Sequence, residues 1–70
     1  MMLYYSRVGS YDGAVKLRGR WVRVVGLNRI DKTGWHRVSG PPSLRIAMAM
    51  AEQPAVQAKE IFPELIKKGA

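Results

Sequence analysis

"VKLRGRWVRVV", residues 15–25, sets four basic side chains and a tryptophan into eleven positions that otherwise read as apolar strand. With Gly19-Arg20 as a two-residue turn, Arg18 faces Trp21, Leu17 faces Val22, Lys16 faces Arg23 and Val15 faces Val24. Side chains alternate across a sheet, so this register gathers Val15, Leu17, Val22 and Val24 on one face and Lys16, Arg18, Trp21 and Arg23 on the other. It makes Leu17 and Val22 buried neighbours and Arg18 and Trp21 exposed ones. Like charges directly opposite, as Lys16 and Arg23 are here, destabilise a bare sheet, and an anionic partner removes that cost. Each cation alone reads as a solvated side chain. The four together, with an aromatic among them, read as a binding face.

The rest of the chain sharpens this contrast. Residues 1–45 hold nine Lys and Arg against two Asp, whereas residues 46–70 hold three Lys against three Glu, so the whole net charge of +7 sits in the first part. Arg29, Lys32, Arg37 and Arg45 extend the basic run beyond the hairpin. Confinement of charge, with a pI near 10.4, is the footprint expected for a polyanion. Nucleic acid is the partner this implies. An anionic membrane calls instead for a basic amphipathic helix, and here the cations fall on predicted strands.

Seventy residues make one small domain, 1–70, with a basic β part over 1–40 and a neutral, mainly helical part over 41–70. Domains of this size often lean on disulfides, metals or partners. The chain has no cysteine, and His36 is its only histidine, so neither a disulfide framework nor a multi-histidine metal site is expected. No apolar run approaches a membrane span, and polar residues follow Met1–Tyr5 at once, so a cytoplasmic, soluble protein is expected.

Residues 2–8, "MLYYSRV", read as a first strand ending at Gly9-Ser10, and "SYDG" as a turn built on Asp12-Gly13. The second arm of the hairpin runs on towards Ile30, with a bulge at Gly26 that brings Leu27 to the apolar side. "DKTG", 31–34, is a tight turn whose Gly34 suits a positive φ, and "WHRVS" is the returning strand. Consecutive prolines in "GPP", 40–42, close the sheet. "SLRIAMAMAEQ" alternates like a strand but has the composition of a helix capped by Ser43, and the helix is preferred. Pro54 opens a further helix carrying Val56, Ile61 and Leu65. Pro63 breaks or restarts it, Lys67 and Lys68 sit in its last turn, and Gly69 ends it. The expected fold is α+β: a small twisted antiparallel sheet of three to four strands, SH3-like or open. The C-terminal helices pack on its apolar face and leave the cationic face free.

Catalysis finds no support. The carboxylates are scattered, no serine or threonine has a base beside it, and the glycines stand singly at turns, so no enzyme, cofactor or small-molecule substrate is expected. Met48 and Met50 read as core filling. Trp21 and Trp35 each read as packing residues when taken alone. Beside Lys16, His36 and Arg37, however, one of them is expected to stack on an exposed base or ribose.

The layout "LYYSRV", "GRWVRVVGL", "DKTG", "WHRVSGPP" and "PAVQAKEIFPELIKK" resembles the small, cysteine-free, very basic archaea-specific proteins of the ribosome. A second resemblance is to the small archaeal chromatin proteins, which have an SH3-like sheet and a C-terminal helix. Those chromatin proteins are lysine-dominated and carry apolar wedges; here arginine leads lysine, seven to five. Arginine's planar fork pairs with phosphates and stacks on bases, which suits folded RNA. The resemblance therefore implies a structural constituent of the archaeal ribosome, bound to rRNA and to neighbouring ribosomal proteins. Lys16, Arg18, Arg20, Arg23, Arg29 and Arg37 would neutralise phosphates, supported by Lys32, His36, Arg45 and a tryptophan. The alternatives are a chromosomal DNA-binding protein using the same face, or a non-catalytic subunit whose partner covers Ile61, Phe62 and Leu65.

Overall fold

Three antiparallel strands form the centre of the sheet. They are β1 (Met2–Ser6), β2 (Asp12–Leu17) and β3 (Arg20–Val25), and the computed structural model describes residues 2–7, 12–52 and 54–66. Two short strands complete it, β4 (Trp35–Arg37) and β5 (Val56–Gln57), in the order β4-β1-β2-β3-β5. Both edge strands run parallel to their neighbours, β4 to β1 and β5 to β3. The sheet is thus mixed and five-stranded, where three or four antiparallel strands were expected, and its topology is not that of an SH3-like barrel.

The difference comes from two crossovers. After β3, Gly26 takes a left-handed conformation, φ 81°, and turns the chain off the sheet into a 3₁₀ turn, Leu27–Arg29. The expected bulge is therefore a strand end, although Leu27 does reach the apolar side. Leu27 and Ile30 are fully buried beneath Val15 and Val24, so the chain passes under the sheet and emerges beside β1. An Asx turn then reverses it: Asp31 Oδ1 accepts from the Thr33 N–H at 2.9 Å, and Gly34 adopts the anticipated positive φ, 83°.

The second crossover is α1 (Leu44–Glu52), which is helical as preferred over the strand reading. The Ser43 hydroxyl accepts from the Ile46 N–H at 3.4 Å, and the Ser43 carbonyl accepts from the Ala47 N–H at 2.9 Å. α1 packs on the opposite face, with Ile46 against Tyr5 and Ala14 and with Trp21, Val38 and Met50 around them. Met50 is core filling as expected. Met48 is not, being 46% exposed beside Leu44 on the outer side of α1.

Residues 54–57 are not helical: Val56 and Gln57 form β5, and Val56 pairs with Val24. The predicted C-terminal helix shrinks to α2 (Ala58–Ile61), and Pro63 starts a separate 3₁₀ turn, Pro63–Leu65. The expectations for Lys67, Lys68 and Gly69, and for Val8 to Ser10, lie outside the described residues. Ala58 and Phe62 join Val15, Val24, Leu27 and Ile30 in the larger core. Among the described residues no helix is long and apolar enough to cross a membrane.

Candidate nucleic-acid interface

The hairpin turn is Arg18-Gly19, not Gly19-Arg20. Leu17 pairs with Arg20, Lys16 with Trp21, Val15 with Val22, Ala14 with Arg23 and Gly13 with Val24. Both turn residues have positive φ, 50° at Arg18 and 79° at Gly19, as a type I′ hairpin requires. This sense of turn matches the strand twist. The register moves each partner by two places, so Lys16, Trp21 and Arg23 still share a face and Val15, Leu17, Val22 and Val24 the other. Arg18 leaves the expected cationic face for the turn, and Arg20, expected in the turn, pairs with Leu17 at the first rung of the hairpin. Leu17 and Val22 are half-buried, as is Trp21, whereas the buried residues of the hairpin are Gly13, Ala14, Val15 and Val24.

The expected open cationic face is not open. Ala14, whose small side chain is fully buried, lets α1 approach the strands on the side of Lys16 and Arg23. Arg23 is also engaged within the fold: Nη2 lies 3.0 Å from Asp12 Oδ2 and Nε 3.4 Å from Oδ1, with both side chains about one-third exposed. Such a partly screened pair contributes about 0–1 kcal/mol and satisfies the guanidinium locally. What projects freely is the hairpin tip. Arg18 and Arg20 are exposed there, and the half-buried Lys16 holds its Nζ 5.8 Å from the centre of the Trp21 ring.

Arg18 is the informative residue at this tip. A non-glycine residue in the left-handed region costs about 1–2 kcal/mol, and asparagine or glycine is the usual occupant of the first position of such a turn. Arg18→Asn is therefore expected to raise stability by about 0.5–1 kcal/mol, read as a higher urea midpoint at unchanged m. Arginine occupies this position against local preference. No lower midpoint is compatible with this geometry.

The remaining candidates are dispersed. Trp35 is packed edge-on between Tyr4, at 6.0 Å, and Phe62, at 5.1 Å, and Lys32 lies 4.5 Å over the Tyr4 ring. His36 is exposed on β4, and Arg45 on α1. Arg29 flanks a groove of about 470 Å³ with Lys59, Gln57 and Ile66. Phe62 is buried, and the half-buried Ile61 and Leu65 pack against the core, so all three contribute to the domain's own interior.

No family model, curated protein or solved structure matches the chain.

One basic site was missed by the sequence reading. Arg7 follows β1 and Arg37 ends β4, and because these neighbouring strands run parallel, both residues leave the sheet at its other end, away from the hairpin tip. They line a cleft of about 370 Å³ with Ser6, Ser39 and Gly40, floored by Tyr5. Arg37 Nη2 donates to the Ser6 carbonyl at 2.6 Å, which fixes the guanidinium at the edge. No local signal brings residues 7 and 37 together, since their proximity depends on a parallel pairing.

Proposed function

We propose that this chain is a non-catalytic RNA-binding domain that grips phosphates with its hairpin tip, as a structural piece of a ribonucleoprotein. The archaeal ribosome is the assembly its layout resembles, with rRNA as ligand and neighbouring ribosomal proteins beside it. The observation that carries this reading is Arg18, held exposed at φ 50° where local preference favours asparagine or glycine. Strain kept at an exposed charged position points to function, because nothing in the fold requires the charge there. Lys16, Arg20 and the half-buried Trp21 flank Arg18 at the end of the hairpin, a set of cations and an aromatic suited to the irregular backbone and unstacked bases of folded RNA. The runner-up, a chromatin protein, would use an open cationic sheet face. α1 covers that face here, which favours RNA.

The test is the salt dependence of binding to a single-stranded RNA or an rRNA fragment. The wild-type log–log slope is expected to be steep, at roughly −0.7 per phosphate contacted, and Lys16→Ala, Arg18→Ala and Arg20→Ala together should flatten it by roughly two units. An unchanged slope would show that the tip is only solvated surface. Fractionation of a native lysate on a density gradient then separates the two assemblies. Co-migration with a ribosomal subunit after DNase supports the first, and release by DNase alone supports the chromatin reading.

A further inference from the structure

The cleft between Arg7 and Arg37 extends the proposed interface, and this inference rests on the RNA-binding reading. A guanidinium carries five N–H donors, so one bond from Arg37 to the Ser6 carbonyl leaves four, and Arg7 adds five more. Ser39 lines the same cleft, and Ser6 contributes the carbonyl that holds Arg37. Gly40, at φ 84°, has nothing within 4 Å of the place where a Cβ would stand, so a ligand can approach its backbone closely. Among the described residues no carboxylate lines the cleft. Two guanidinium groups thus border a cleft whose own lining holds no acidic side chain, although Arg7 also borders the neighbouring cleft of Asp12. This is the chemistry of a site for a phosphate oxyanion.

We infer that this cleft takes a phosphate group of the same RNA strand held by the hairpin tip. Ser6 pairs with Gly13, and the tip begins five residues further along β2, at Arg18. At about 3.4 Å per residue the two basic sites are separated by roughly 17 Å along the strand direction. A strand stacked as in a duplex, rising about 3.4 Å per phosphate, covers that span in roughly five nucleotides, and an unstacked strand in fewer. A strand shorter than this engages one end only. A longer one bridges both, and the second contact becomes intramolecular, so affinity should rise sharply with length rather than gradually.

Binding of oligouridylates of four and ten nucleotides to the wild type, to Arg7→Gln/Arg37→Gln and to Arg18→Ala/Arg20→Ala tests this. The wild type is expected to favour the ten-mer at least tenfold, and the cleft variant to lose most of that advantage, with a salt slope shallower by about one unit. In parallel, inorganic phosphate should shift the backbone amide resonances of Ser6, Ser39 and Gly40 in the wild type and not in the cleft variant. Arg7→Gln alone, which leaves the Arg37 bond to Ser6 in place, guards against a folding defect and should show about half the effect. If the tip variant weakens binding while the cleft variant keeps the wild-type length dependence and slope, the second site is overturned and the RNA reading stands. If neither variant changes binding, both fall.

Discussion

Leu27→Ala and Ile46→Ala should each lower the stability of the folded domain by about 2–5 kcal/mol, the range for truncating a fully buried aliphatic side chain. Leu27 is 0% and Ile46 1% exposed, and they belong to separate clusters on opposite faces of the sheet. Stability near 0.05–0.15 kcal/mol per residue leaves a chain of this length only about 4–10 kcal/mol in all. Either change alone should bring the domain close to unfolding. Urea titration checks this, with the midpoint falling at an unchanged m-value. Residues without shared partners behave additively, so the double variant should be largely unfolded at 25 °C. A cost below about 1 kcal/mol for Ile46→Ala, with Leu27→Ala at full cost, would mean that α1 is not docked. The sheet would then be one-sided, and the face of Lys16 and Arg23 would be open after all.

That contrast marks where the sequence could and could not be read. Alternation over residues 15–25 assigned Val15, Leu17, Val22, Val24, Lys16, Trp21 and Arg23 to the faces they occupy, although the turn was misplaced. A shift of two positions preserves parity. The path after Val25 was not legible, because Leu27 and Ile30 suit a strand as well as a buried crossover, and only Gly26 hints that the chain leaves the sheet. Nor does any local pattern announce parallel edge strands, whose partners lie about thirty residues away. The covered cationic face was missed for a related reason. Ala14 and Tyr5, which seat α1, lie outside the stretch whose alternation was read. The hairpin itself was legible because its residues are contiguous, but its cations were expected on an open face and not gathered at its end. The cleft of Arg7 and Arg37 was not, because it exists only through β1 pairing with β4.

Gly13 gives the second large effect and separates two explanations of the same glycine. As part of an Asp-Gly turn it would need a positive φ, and asparagine would be a tolerable replacement. In the structure Gly13 lies inside β2 opposite Val24, and it is not among the glycines of positive φ. Its constraint is space. A Cβ there would run into the Tyr5 carbonyl oxygen and stand 3.0 Å from Leu27 Cδ2 and 3.2 Å from Ser6 Cβ. The carbonyl belongs to the backbone of β1 and cannot yield without disturbing the β1–β2 ladder, and Leu27 is locked in the core. Gly13→Ala and Gly13→Asn should therefore both destabilise, by about 1–3 kcal/mol, and Gly13→Val by about 3 kcal/mol or more, despite valine's preference for strands. Thermal or urea unfolding of the three variants decides the point. A well-tolerated asparagine beside a damaging alanine would return Gly13 to a turn and with it dissolve the first rungs of the β2–β3 pairing. Comparable losses in the two would place the constraint in the close approach of β1 and Leu27, the contact that ties the sheet to the crossover beneath it.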